Sequence, residues 1–204
     1  MGKLDSNKKQ KKDSLLNTAF DLFITQGINK TTISDIVQNA GVAKGTFYLY
    51  FKDKYDIRNK LIAHKANQLF LEAYDVLLKN NMEIFDNRVI FLVDYIIDKL
   101  NHNKSLLTFL SKNLSWGIFK NALITPVVET DLNTYDIYID IIEHSGITFT
   151  DPEIMLYLII ELVSSSCYSS ILYNEPVKIE ELKPHLYDTI RSIIHSHQKH
   201  DAKS

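Results

Sequence analysis

The 204-residue sequence predicts an all-α protein of about nine helices, a small N-terminal head followed by a larger helical body. Three observations carry this. Apolar residues recur at helical spacing in segment after segment, and no strand-type alternation persists. Six glycines and four prolines are few for this length, which favours long helices over a many-turned β-architecture. A hydrophobic content of 45% is enough to bury a substantial core.

The elements follow in order. From Asp13, the residues Leu15, Leu16, Ala19, Phe20 and Phe23 form a helical stripe, with Gly27 as a left-handed cap. In "TTISDIVQNAG", Thr32 is placed as N-cap, its hydroxyl within reach of the Asp35 amide, and Gly41 ends this short second helix. A third helix begins near Ala43. Asp53 caps a fourth, which runs from about 54 to 79 with Ile57, Leu61, Leu69, Phe70, Ala73 and Leu77 on one side. Further helices are expected at about 83–101 and 104–113, at 127–144 and 152–173, and at about 178–198, with a stretch between them that is irregular or weakly helical, broken by Gly117 and Pro126. The domains are accordingly set at 1–53 and 54–204.

Charge divides the same way. Residues 1–65 hold 12 Lys and Arg against 6 Asp and Glu, while the remainder holds 11 against 19. A basic head on an acidic body points to a polyanionic partner for the head alone. The single cysteine, Cys167, cannot form an internal disulfide, which suits a reducing compartment. No uninterrupted apolar run reaches about 18 residues, so no membrane span is expected. The charged N-terminus lacks the apolar stretch of a secretory signal. A soluble cytoplasmic protein is the expectation.

The segment "GVAKGTFYLYF", residues 41–51, is the most informative. On a helical wheel starting at Ala43, Thr46, Phe47, Tyr50 and Phe51 fall on an inward side, and Lys44, Gly45, Tyr48 and Lys52 on an outward one. That outward face carries cations, a phenol and a gap where a side chain would stand. Lysines neutralise phosphates, the tyrosine can bond a phosphate or pack on a thymine methyl, and glycine permits close approach. Two helices joined by a turn at Gly41 make a helix-turn-helix, whose second helix enters the DNA major groove by its N-terminal end.

Residues 31–62, "TTISDIVQNAGVAKGTFYLYFKDKYDIRNKLI", resemble the DNA-binding signature of the TetR/AcrR family of bacterial transcriptional regulators. The match takes in the threonine pair, the Asp-Ile, the Ala-Gly-Val turn, the Lys-Gly, the Tyr-x-Tyr-Phe and the lysine opening helix four. The resemblance implies that Lys44 and Gly45 approach bases, that Thr46 and Tyr48 contact the groove, and that Thr32, Tyr50 and Lys54 contact phosphates. Leu49 departs from the polar or aromatic residue usual at its position. No catalytic residues and no cofactor are implied.

In the body, the aromatics Phe91, Tyr95, Phe109, Trp116, Phe119, Tyr135 and Tyr138 are candidates to line a pocket for a small lipophilic effector. Segment 152–173 is apolar almost all round and rich in small serines. The final helix keeps a seam-like stripe, Ile179, Leu182, Leu186, Ile190, Ile193 and His197. Leu158, Leu162, Ser166, Leu186, Ile190 and Ile193 are therefore the expected contacts of a homodimer, two helices from each chain forming a four-helix bundle. His195 and His197, two apart on a helix, point to different sides, and no metal-ligand spacing or acid–base pair is visible. The sequence thus predicts a helix-turn-helix head plus a C-terminal ligand-binding and dimerisation domain, in a non-enzymatic regulator. The expected partners are double-stranded operator DNA, a second copy of the chain and a small-molecule effector, with repression the expected sign. A ligand-independent or activating regulator of the same fold is the alternative.

Overall fold

The computed structural model describes residues 3–113, 117, 120 and 134–199. These form nine helices and no named strand. They are α1 (Lys3–Thr25), α2 (Ile33–Asn39), α3 (Lys44–Tyr48), α4 (Lys54–Leu78), α5 (Phe85–His102), α6 (Lys104–Asn113), α7 (Thr134–Glu143), α8 (Pro152–Tyr173) and α9 (Ile179–His197). The chain divides into two compact units, Met1–Lys65 and Ala66–Ser204, so the division falls inside α4.

In the first unit, α1 packs against α2 and α2 against α3. The core is built from the stripes the sequence displays. Leu15, Leu16, Ala19 and Phe23 of α1, Ile36 and Val37 of α2, Phe47, Phe51, and Ile57, Leu61 and Ile62 of α4 are all buried. The α1 helix starts at Lys3, ten residues before the expected Asp13. Its first turns have no apolar stripe to betray them, but lysine and glutamine are good helix formers and continue an established helix cheaply.

In the second unit, α9 packs along α8 and α5, α6 packs against α8 and α5, and α5 also meets α8. The core runs from Ala73 and Leu77 through Leu92, Val93 and Ile97 to Ile141, Met155, Ile159, Leu186, Ile190 and Ile194. Polar ties join its helices. Lys183 of α9 pairs with Asp94 and Asp98 of α5, at 2.6 and 2.5 Å, and the Tyr187 hydroxyl donates to Asp94. His195 Nε2 lies 2.7 Å from Asp86. The buried Thr134 hydroxyl donates to Asn67 across 2.9 Å, linking α7 to α4.

One expectation needs correction. Leu186 and Ile190 are 3% and 0% exposed within the single chain, so they fill its own core and are not dimer contacts. A 3-4 stripe marks a buried face and is silent about which neighbour buries it; here α5 and α8 of the same chain do so. Among the described residues α8 alone is long and apolar enough to cross a membrane, a test of length and composition that the core helix of a soluble protein also passes. Serines and two glutamates break its apolar run, yet its mean hydropathy stays high. Met155, Ile159, Cys167 and Ile171 of α8 are buried, whereas Ile154, Tyr157, Leu158 and Tyr173 remain exposed.

Candidate nucleic-acid interface

The interface is set by three local devices. The first is the start of α2. Thr32 accepts from the Asp35 amide at 3.1 Å, and Asp35 Oδ2 accepts from the Thr32 amide and hydroxyl, each at 2.8 Å. Those bonds, the Thr32 amide foremost, hold the Asp35 carboxyl below its usual range. The sequence shows the first of these bonds; the Asp35 carboxylate makes the cap reciprocal and occupies the hydroxyl expected to meet a phosphate.

The second device is the turn. Gly41 has φ +67°, a left-handed conformation that costs glycine little and other residues more. The Val42 amide donates to the Val37 carbonyl at 3.0 Å, closing the turn before α3.

The third is α3 itself. Phe47 is fully buried and Phe51 nearly so, with their rings 5.4 Å apart, and together they pin the short helix to the head. With Phe47 fixed inward, Lys44, Gly45, Tyr48 and Leu49 turn outward and are exposed. Tyr48 is 53% exposed and stacks edge-on against Phe47, which orients its ring without hiding it. Ala43 is exposed as well, so the inward sector is narrower than a wheel centred on it implies. Thr46 is half-buried.

Two residues have roles that no motif announces. The Lys54 ammonium donates to the carbonyls of Ile28, Asn29 and Thr31, at 3.0, 3.2 and 3.2 Å. Its three protons therefore fasten the α1–α2 connection. Tyr50 is half-buried, as its inward wheel position implies, and its hydroxyl donates to the Lys8 carbonyl at 3.2 Å. Lys60 Nζ in turn donates to the Tyr50 carbonyl at 3.0 Å and pairs with Asp56. Leu49 is the most exposed large hydrophobic residue among those described, at 79%. Its apolar tip beside Tyr48 is the kind of group that packs on thymine methyls, an opening that spacing rules for polar contacts overlook.

The pocket candidates are scattered. Phe109 and Tyr138 are buried, and the Tyr138 hydroxyl donates to the Pro152 carbonyl at 2.7 Å, with burial pushing its pKa up. Phe91, Tyr95 and Tyr135 are half-buried. Tyr135 lines an open cleft with Ile139, Pro152, Ile154 and Tyr157. Trp116 and Phe119 lie outside the described residues.

A short helix held by buried aromatics, with its cationic flank exposed behind a glycine turn, defines a helix-turn-helix DNA-binding protein. Residues 15–61 match the family described as bacterial regulatory proteins, tetR family. The Transposon Tn10 TetC protein of Escherichia coli is 32% identical over 147 residues, covering 64% of this chain and 72% of that protein. The Bacillus subtilis regulator YvdT, described as an uncharacterized HTH-type transcriptional regulator, is 41% identical over 75 residues, which is 37% of this chain and only 35% of that protein. The chain belongs to the tetR family of bacterial transcriptional regulators. Among solved structures, the transcriptional regulator FadR from Bacillus subtilis superposes with a TM-score of 0.64 at 18% identity, covering 89% of this chain and 98% of that one. That likeness extends the shared fold through the second unit.

Proposed function

We propose that the protein is a homodimeric cytoplasmic repressor that binds a palindromic operator through α3 and leaves it when a small lipophilic effector binds residues 66–204. The DNA contacts of this reading are Lys44, Gly45, Thr46 and Tyr48 toward the groove, while Thr32, Tyr50 and Lys54, whose polar tips are bonded within the head, reach phosphates only by exchanging those bonds.

The observation that carries it is Gly45. A Cβ built there meets nothing within 4 Å, and its backbone φ is not positive. Neither packing nor conformation inside the chain calls for glycine in a five-residue helix, where it weakens the helix by about 1 kcal/mol relative to alanine. A partner approaching from outside gives it a purpose, and a base edge or phosphate is that partner.

Dimerisation is supported by α8, where Ile154, Tyr157 and Leu158 stay exposed at helical spacing beside Leu162 and Ser166. A two-fold axis also supplies the second recognition helix that an inverted repeat requires. The effector reading draws on the half-buried aromatics Phe91, Tyr95 and Tyr135, and on the fact that Bacillus subtilis FadR has been solved in complex with stearoyl-CoA. A ligand acts on DNA binding only if its affinity differs between the DNA-competent and incompetent conformations. The helix α4, shared by both units, is the covalent route for that difference.

The test is DNA binding by Lys44→Ala, Tyr48→Ala and Gly45→Ala in gel-shift titrations against the inverted repeat nearest the gene. Each is expected to weaken binding about 5-fold or more, at about 1–3 kcal/mol per specific contact; thermal unfolding stays nearly unchanged in Lys44→Ala and Tyr48→Ala, and Gly45→Ala gains up to about 1 kcal/mol of helix stability. Wild-type affinity in all three variants would remove α3 from the interface.

A further inference from the structure

We propose that the basic first turns of α1 form a second DNA-contacting surface, gripping backbone phosphates beside the recognition helix. The proposal rests on α3 being that recognition helix.

Residues 6–12 read Ser-Asn-Lys-Lys-Gln-Lys-Lys, four lysines and no acid. They are helical, although the buried stripe of α1 begins only at Leu15. At about 100° per residue, Lys8 and Lys12 fall on the same side as Leu15, Leu16, Ala19 and Phe23, with Lys9 and Lys11 flanking them. The face that packs into the head lower down thus becomes cationic where α1 runs on. A lysine row there does not stabilise the core. It suits a ligand that meets the head from the recognition-helix side.

Position comes from hydrogen bonds within the first unit. The Tyr50 hydroxyl donates to the Lys8 carbonyl at 3.2 Å, tying this turn of α1 to the chain two residues beyond α3. Ser14 Oγ donates to the Ala40 carbonyl at 3.2 Å, fixing α1 beside the end of α2. Lys60, bonded to the Tyr50 carbonyl, and the exposed Lys52 adjoin the same residue. Of the acids nearby, Asp56 is committed to Lys60 and the Lys52 amide, while Asp13 and Lys12 both lie near His64 of α4. Lys8 and Lys11 are exposed and Lys12 is half-buried.

The chemistry selects phosphate over base. Lysine is a mobile point cation without the fixed fork that reads a base edge. A row of lysines therefore adds affinity that depends on salt and is indifferent to sequence. The recognition helix specifies the site, and the α1 row raises the affinity for any DNA around it.

The experiment uses the full chain and a duplex selected from random sequence by the wild-type protein, followed by fluorescence anisotropy across a salt series. Replacing Lys8, Lys11 and Lys12 by glutamine keeps helix propensity and removes three charges. If all three reach phosphates, the log–log salt slope shrinks by about 2–3 and affinity at physiological salt falls about 10-fold or more. The preferred sequence stays the same. The triple arginine variant restores the slope, and circular dichroism confirms that both variants fold.

Three results would overturn the proposal. A glutamine variant with wild-type slope and affinity, while Lys44→Ala loses binding, removes the α1 surface and leaves α3 in place. A glutamine variant weakened without any change of slope, or not restored by arginine, removes phosphate as the target and admits an acidic protein partner instead. Unaltered binding in both the glutamine variant and Lys44→Ala removes the recognition-helix reading with it.

Discussion

The Lys54 clamp makes a demanding prediction because it separates stability from recognition. In Lys54→Met, the carbonyls of Ile28, Asn29 and Thr31 lose their shared donor while the aliphatic stem is kept. Hydrogen bonds from a charged donor contribute about 1.5–3 kcal/mol each when well sheltered. Of the three, those to Ile28 and Thr31 are partly buried and the one to Asn29 is exposed, so water replaces the third readily. A net loss of about 2–3 kcal/mol follows, which at roughly 2–4 °C per kcal/mol for a chain of this size lowers the thermal midpoint by about 4–12 °C. The assay is a circular-dichroism melt of Lys54→Met beside Lys44→Ala, which is expected to melt with the wild type. A Lys54→Met midpoint within about 1 °C of wild type would show that the three carbonyls do not depend on the ammonium, and would return Lys54 to a purely DNA-facing role.

Other expected outcomes follow from the second unit. Ile190→Ala deletes a fully buried side chain and should cost about 2–5 kcal/mol in chemical unfolding. In contrast, Leu158→Glu, on the exposed side of α8, should leave the monomer's stability nearly intact yet shift sedimentation toward monomer. For Asp94, burial opposes ionisation, but the hydrogen bonds from Lys183 and Tyr187 and the Lys183 charge outweigh it, holding the carboxyl below its ordinary value of 3.8. A depressed carboxylate stabilises the fold above pH 3.8, and that contribution is lost as pH falls through the folded value. Asp94→Asn should therefore be less stable than wild type at neutral pH, with the gap closing below pH 3.8 in urea titrations; a gap that persists unchanged would detach Asp94 from the acid limb.

Much of the fold is legible in the sequence because helices write their packing into periodicity. The bounds 104–113 for α6 and 152–173 for α8 coincide with the structure, and those of α4, α5 and α9 lie within two residues. The Thr32–Asp35 cap and the Asp53 cap of α4, whose carboxylate accepts from the Tyr55 and Asp56 amides at 2.7 and 2.8 Å, were readable for a local reason. A cap is complete within about four residues, so spacing alone specifies it. The start of α1 was not legible, since a solvated helix of lysines and glutamine leaves no apolar stripe.

What the sequence determines by itself is therefore whatever is settled over one or two helical turns: the helical character of the chain, the glycine turn at residue 41, and the outward position of Lys44, Gly45 and Tyr48. Tertiary structure decides what each exposed or buried face meets. It commits the Lys54 ammonium to three carbonyls some two dozen residues away, brings the Tyr50 hydroxyl to Lys8, and turns Leu186 and Ile190 into the chain's own core while leaving Ile154 and Leu158 bare. The reason is physical. Periodicity records that a face must leave water, but the hydrophobic effect has no direction, so only the assembled chain reveals which surface receives it.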